Sequence, residues 1–395
     1  MSEVIVAGAG VGGLAAAIAL RQAGHRVTLL EKSTQDGTGG AALGVQSNAG
    51  LALRALGVAR PVLADGIPVR EYLLVSWRGR PLAGWSLEQV AARLGVPSVT
   101  VPRATVMSAL RAAAPAATTG ATVTGVTEDA TGVTAHLTDG SAVHGDLLVG
   151  ADGLHSAVRP HVTGEHTPPV DAGYVSWRGT AETTVAPVAG GTAVHVVGSG
   201  RSFGAWPLPG GRTYWVATLA RGDDPWREFA GAPPVATTLL DATDPDTVLR
   251  TPIHDRDPVS TWHTGATVLL GDAVHPMQPT TGQGASQALL DALALATALR
   301  GVDLTDPRAR RRALDAYQAR RAPAAEEIVA EARQLGRLHH LDSPVATRVR
   351  DLVLRATPRR VWQRRTEARL DELELLADWN SPTTDQEAFS WNDTH

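Results

Sequence analysis

Glu3-Val4-Ile5-Val6-Ala7-Gly8-Ala9-Gly10-Val11-Gly12-Gly13-Leu14 runs a short β-branched segment into a glycine turn, and an Ala/Leu-rich stretch, Leu14–Ala23, follows before Gly24. The apolar run reads as a buried strand, and the stretch after it as a helix closed by Gly24. Arg26–Leu30 is the next strand, ending at Glu31. Strand, helix and strand make a βαβ unit, and a parallel sheet of this kind is expected to have helices covering both faces. Two later apolar segments read as further strands of the same sheet. Asp146–Gly150 runs into Ala151-Asp152-Gly153, and Ala266–Leu270 runs into Gly271-Asp272. The sheet is therefore assembled from pieces far apart in the chain.

The turn fits G-x-G-x-x-G in the context that gives the motif meaning, directly after a strand and directly before a helix. Gly8 permits the tight turn, Gly10 lets backbone approach a pyrophosphate, and Gly13 lets the helix pack close. Val11 and Gly12 lie in the same turn, just before the helix, whose N-terminus attracts negative charge. Glu31 and Lys32 follow the second strand, where a carboxylate can accept hydrogen bonds from ribose hydroxyls and favours a free 2′-hydroxyl over a phosphate. On its own the motif does not separate NAD from FAD.

Between the two later strands the texture changes to alternating β-type runs at Gly173–Thr180, Thr192–Val197, Arg201–Leu208 and Arg212–Ala220, with Pro209-Gly210-Gly211 as a hairpin turn. These predict a mostly antiparallel second lobe, joined by Tyr72–Trp77. After Leu299 the pattern is helical, with Arg308–Ala322 and Ala324–His339 separated by Pro323, then Val345–Leu354 and Pro358–Leu376, and a polar tail from Asp378. The expected division is α/β: residues 1–70, 95–165 and 265–300 form a discontinuous Rossmann-like lobe, residues 71–94 and 166–264 the antiparallel lobe, and residues 301–395 a C-terminal helical segment.

A chain of 395 residues exceeds one ordinary core. It has no apolar stretch of the roughly 20 residues that span a bilayer. No signal peptide precedes Val4, which places the protein in the cytoplasm, with no membrane partner. A net charge of −4 with dispersed arginines argues against nucleic acid. There is no cysteine, which removes disulfides, thiolate metal sites and a Cys-linked flavin, and Lys32 is the only lysine. His339-His340 lacks metal-ligand partners at helical spacing, so no metal is expected.

Two more motifs follow in order: Gly150-Ala151-Asp152-Gly153-Leu154-His155-Ser156-Ala157-Val158-Arg159, and Gly271-Asp272-Ala273-Val274-His275-Pro276 with Pro279 and Gly282-Gln283-Gly284-Ala285 opening an apolar helix. Together with the first, they resemble the fingerprints of the para-hydroxybenzoate hydroxylase-like, class A flavoprotein monooxygenases, over the chain from its start to about Leu299. The resemblance implies non-covalent FAD. Gly8, Gly10, Gly13 and Glu31 would hold its ADP half, Arg103 would lie along the phosphates and ribityl chain, and Asp152 would serve both FAD and NAD(P)H. It further implies that Asp272 bonds ribityl hydroxyls and that Gly282–Gly284 offer N–H groups to the pyrimidine edge. Pro102, Ser286 and Leu290 stand where family members usually have His, Asn and Glu.

The same resemblance implies NAD(P)H and O2 as co-substrates, a C4a-hydroperoxyflavin, and hydroxylation or epoxidation of an aromatic, polyketide or indole-type molecule, in secondary metabolism or aromatic catabolism. A single dinucleotide fingerprint leaves NAD(P)H without a lobe of its own. Trp177, Arg178, His195, Phe203, Trp206, Tyr214 and Met277 are candidates for the substrate pocket, each with core packing as the alternative. Trp177-Arg178-Gly179 also resembles a motif of salicylate hydroxylase-like members. His275 reads as a packing residue. An FAD-dependent dehydrogenase of the same fold, or a non-catalytic flavin- or drug-binding protein, are the rivals; the chain could be a monomer or a homodimer. A flavin-dependent halogenase would need a catalytic lysine and Trp-x-Trp, both absent.

Overall fold

The computed structural model describes residues 1–34 and 42–371, together with Ala377 and Trp379. Its first sheet is fully parallel, with spatial order Thr267–Leu269, Leu147–Gly150, Glu3–Ala7, Arg26–Glu31 and Ala117–Thr119. The central strand pairs on both sides, and Val4 to Ala7 are all buried, as expected of a strand with no solvated face. Helices Val11–Gln22 and Gly284–Leu299 pack on each other over this sheet, close enough that a Cβ at Gly12 would come within 2.9 Å of Leu270 and 3.1 Å of Ala288.

The other face departs from the expectation of helices on both sides. A three-stranded antiparallel meander, Val123–Asp129, Gly132–Leu137 and Ala142–Gly145, lies on it, with Gly145 against the Ile5 side chain. Val123, Val133 and Ala135 join the main core from this meander. An amphipathic β ribbon buries an apolar face as well as a helix does, and its one-sided pattern alternates too weakly to have been read as strands.

The second large sheet runs Leu249–Asp255, Val170–Ala181, Arg212–Leu219, Arg201–Leu208, Thr192–Val197, Glu71–Ser76, Pro81–Ser86. Its only parallel pair joins Thr192–Val197 to Glu71–Ser76. Side chains alternate across a strand, so this sheet has two distinct faces. Trp177, Phe203 and Trp215 occupy the outer one, packed with Phe229, Leu239 and Leu240 beneath the short helices Pro225–Glu228 and Pro234–Asp241. Phe203 is fully buried and stacks on Trp215 at 5.6 Å. Phe203→Ala is expected to cost about 3–5 kcal/mol of stability, read as a shift in the urea midpoint.

The C-terminal region also differs from the sequence reading. Pro307–His339 is one 33-residue helix that passes through Pro323 without a break. Tyr317, Arg321, Ala325 and Ile328 are buried on either side of the proline, and that packing outweighs one missing N–H. Helices Pro344–Ala356 and Arg359–Leu370 follow; the expected continuation to Leu376 and most of the polar tail lie outside the described residues.

Candidate active site

A cavity of about 650 Å³ lies between the two large sheets. It begins at the turn Gly10-Val11-Gly12, passes Arg103 and Gly271-Asp272, and runs along Pro279–Gly282 and Gly284-Ala285 to the inner face of the antiparallel sheet. Two helix N-termini meet it. Neither Gly10, before Val11–Gln22, nor Gln283, before Gly284–Leu299, supplies a side-chain cap. Both ends thus present backbone N–H groups and positive partial charge to the cavity side of the turns. A Cβ at Gly10 would meet nothing within 4 Å, whereas at Gly8 it would come within 2.5 Å of the Ala151 carbonyl oxygen and at Gly13 within 1.8 Å of that of Gly8. Gly8, with φ +102°, and Gly13 are therefore needed by the protein's own backbone, and Gly10 opens toward the cavity.

Other predicted cofactor residues brace the cavity without lining it. The Glu31 carboxylate accepts from Ala9 N at 2.7 Å and Ser33 N at 2.8 Å, so it holds the glycine turn. Asp152 Oδ2 accepts from Ala157 N at 2.8 Å and Val158 N at 3.3 Å, next to the lining residue Gly153. Asp152 Oδ1 is buried without a partner, and burial raises its pKa against those bonds. Gln283 is buried, accepting from Asn48 at 2.9 Å. Lys32 is exposed and outside the cavity. Arg159 is turned away from the cavity, donating to the Ala273 and Val274 carbonyls at 3.0 and 2.8 Å. It secures the turn that carries Asp272.

Asp272 is exposed on the cavity wall; the surrounding protein pushes its carboxyl up by desolvation, opposed by His275 and Arg103. Arg103 is pushed down by burial and by the neighbouring Arg178. Beneath this turn lies a buried network that sequence reading missed. His275, expected only to pack, bonds Asp291 Oδ2 through Nε2 at 2.6 Å, the Gly271 N–H donates to the same oxygen at 2.9 Å, and Arg321 Nε donates to Oδ1 at 2.7 Å. Burial alone would raise Asp291, but His275 and Arg321 hold it well below the usual carboxylate range.

Arg178, His195, Trp206 and Tyr214 line the cavity from the sheet side, and Met277 from the loop after Gly271–Ala273. Trp177 and Phe203 do not, because strand alternation turns them to the outer core. Arg178 donates to Thr251 Oγ1 at 2.7 Å and keeps a buried Nε without a partner. Burial pushes the Tyr214 hydroxyl up to about 12, with Arg178 and Arg103 opposing.

The far end of the cavity is built by residues from the C-terminal helices and the first strand of the antiparallel lobe. Tyr72 stacks on Trp85 at 4.4 Å, and Trp85 in turn on Trp362 at 6.2 Å. The Tyr72 hydroxyl and His195 Nδ1 are 2.7 Å apart, and the His195 and His339 rings lie 4.6 Å apart. The helix Pro307–His339 is pinned over the sheet through His340, stacked on Tyr174 at 4.0 Å and bonded to Thr218 at 2.9 Å. Arg333 adds a two-bond pair to Asp255 at 2.8 and 3.0 Å.

Burial, and then His340, lowers His195 to about 4, and burial with His195, His340 and Arg350 holds His339 well below its ordinary value. Both are neutral when folded, so the unfolded chain takes up protons first as pH falls. Stability from these groups is complete above pH about 6.5 and is lost as pH drops toward 4. The urea midpoint is expected to fall between pH 7 and 5, and to fall less in His195→Asn, whose side chain does not titrate.

A glycine turn and a second helix N-terminus opening on one cavity, walled by a parallel and an antiparallel sheet, are the architecture of the para-hydroxybenzoate hydroxylase-like fold, shared with salicylate hydroxylase. A model of the FAD binding domain family matches residues 1–332, and the chain belongs to that family. It is 35% identical over 364 residues to the aurachin C monooxygenase/isomerase of Stigmatella aurantiaca, covering 89% of this chain and 93% of that protein. It is 35% identical over 347 residues to an FAD-dependent urate hydroxylase of Klebsiella pneumoniae, covering 84% and 89%. The structure of Klebsiella pneumoniae HpxO complexed with FAD and uric acid superimposes with a TM-score of 0.85 at 32% identity, covering 93% of this chain and 96% of that one. FAD is thus the cofactor of the family, and the relatives are a monooxygenase/isomerase and an FAD-dependent hydroxylase. No helix among the described residues is long and apolar enough to cross a membrane, and none of their His, Asp and Glu residues cluster as a metal site.

Proposed function

We propose that this chain is an NAD(P)H- and O2-dependent monooxygenase that hydroxylates or epoxidises an aromatic, polyketide or indole-type molecule on non-covalently held FAD. The observation that carries it is the continuity of the cavity, from two uncapped helix N-termini to an aromatic-lined sheet face. FAD, when bound, supplies the electron and oxygen-transfer chemistry. The chain's residues bind, orient and shield.

Val11 and Gly12 would give N–H groups to the pyrophosphate across the gap left by Gly10, with Glu31 beside the adenosine ribose. Arg103 and Asp272 would take the phosphates and ribityl hydroxyls, Asp152 and Gly153 bracing the adjacent turn. Gly282, Gly284 and Ala285, at the start of Gly284–Leu299, would place positive partial charge against the pyrimidine edge, where reduction puts negative charge. Substrate would lie against Arg178, Trp206 and Tyr214, with Met277 and Pro279 on the loop side. With one dinucleotide fingerprint, NAD(P)H would bind transiently at the cavity.

Anaerobic reduction of the yellow protein by NADH or NADPH, with a panel of phenols, aryl acids, indoles and polyketides, followed by admission of O2, tests the reading. A compound that accelerates reduction and emerges with one added oxygen atom supports it. Reduction followed only by hydrogen peroxide release, with compounds shown to bind, would leave the dehydrogenase or binding-protein alternatives.

A further inference from the structure

Helix Pro344–Ala356 is built the wrong way round for a helix packed on a core. Val345, Val349, Leu352 and Val353 are 67%, 55%, 66% and 57% exposed. At 3.6 residues per turn these four fall within about 100° of the helix circumference, so they form one apolar stripe facing solvent. The opposite side carries Arg350 and Leu354, which line the cavity. Val361, at the start of the next helix, is exposed as well.

The charge around the stripe is one-sided. Residues 344–370 contain eight arginines against Asp351 and Glu367, a local balance of +6 in a chain whose total is −4. Arg350, Arg359 and Arg369 are paired with Asp351, Glu71 and Glu331. Arg348, Arg355, Arg360 and Arg364 are exposed and have no ion-pair partner among the described residues. On the helix circumference Arg348 and Arg355 fall beside one edge of the stripe, and an apolar stripe flanked by unpaired cations matches a surface that is apolar inside and anionic at its rim.

Against the sequence expectation of no membrane partner, we propose that the stripe Val345–Val349–Leu352–Val353, with its arginine border, is a peripheral docking face for an anionic lipid bilayer. The valine and leucine side chains enter the boundary between headgroups and acyl chains while the arginines meet the headgroup phosphates. A second copy of this chain fits the same face poorly, because a two-fold contact would bring the arginine borders together. Arg350 and Leu354 on the one helix, and Trp362 and Arg365 on the next, place the cavity one helix beneath the docking face. The proposal is independent of the reaction assigned above.

Co-sedimentation of the FAD-loaded full-length protein with vesicles of phosphatidylglycerol and phosphatidylcholine, against vesicles of phosphatidylcholine alone, tests it. Binding is expected to the anionic vesicles only and to fade at high salt. Each of Arg348→Gln, Arg355→Gln and Arg360→Gln should weaken it by roughly fivefold, and Leu352→Asp by more than about tenfold, with flavin content and melting temperature unchanged. Absence of binding to either vesicle, or binding unaffected by Leu352→Asp, would overturn it. So would a dimer in gel filtration that Leu352→Asp converts to monomer without any vesicle binding. Binding that emerges only when residues 380–395 are removed would instead assign the stripe to the chain's own tail.

Discussion

Asp291→Ala is expected to be the most damaging single substitution away from the cavity wall. It removes the acceptor of three donors at once, the Gly271 N–H, His275 Nε2 and Arg321 Nε, and leaves a fully buried guanidinium without its carboxylate. Removing one partner from a buried pair costs about 3–5 kcal/mol, because the remaining charge stays desolvated. Thermal and guanidinium unfolding of the apoprotein read that loss directly. The turn Gly271–Ala273 is tied to Asp291 through the Gly271 N–H, so flavin content per chain should fall with it. Asp291→Asn keeps one acceptor for the Gly271 N–H and should sit between the two. A loss below about 1 kcal/mol for Asp291→Ala would show that the network contributes no more than an ordinary hydrogen bond. Because the Asp291 carboxyl is held low, its contribution is complete at neutral pH and disappears only in strong acid.

The second large effect separates folding from cofactor binding within one motif. Gly13→Ala drives a Cβ to within 1.8 Å of the Gly8 carbonyl oxygen, a clash between backbone elements that no side-chain rotation relieves. The apoprotein should lose more than about 3 kcal/mol, beyond ordinary overpacking, and be isolated without flavin. Gly10 has φ −73° and free space at its Cβ position, so Gly10→Ala should leave apoprotein stability within about 0.5 kcal/mol of the parent. Its methyl group enters the space assigned to the pyrophosphate, and FAD affinity should fall by about tenfold or more. Equal FAD affinity in Gly10→Ala and the parent, by quenching of flavin fluorescence, would move the pyrophosphate elsewhere.

The strands that bound the cavity were legible because their signals are local. The run Glu3–Ala7, the hairpin at Pro209-Gly210-Gly211 and the runs around it carry β-branched patterning and turn chemistry within a few residues. Arg178, Trp206 and Tyr214 could be placed near the cavity for the same reason, but not told apart from Trp177 and Phe203. That distinction depends on which face of each strand looks inward, a matter of sheet packing that a two-residue period cannot orient. The Asp291 network joins Gly271, His275 and Arg321, and the Tyr72–His195–His339 group joins three separate elements; neither leaves a spacing signal in the chain. Arg159 sits in a motif that marks the cofactor face, yet its side chain is committed to carbonyls behind the turn, a partnership between distant segments with no local signal.

The parallel sheet draws its strands from four widely separated parts of the chain, and Gly12 packs against Ala288. During synthesis the glycine turn leaves the ribosome about 270 residues before the helix that must cover it, a wait on the order of tens of seconds. The strand Glu3–Ala7 gains the neighbour Leu147–Gly150 about halfway through that wait, but the second helix of its roof only at the end of it. The nascent N-terminal third should therefore depend on chaperones or on the meander for cover. Flavin colour should appear only in chains elongated past residue 299, which makes the cofactor a reporter of completed translation.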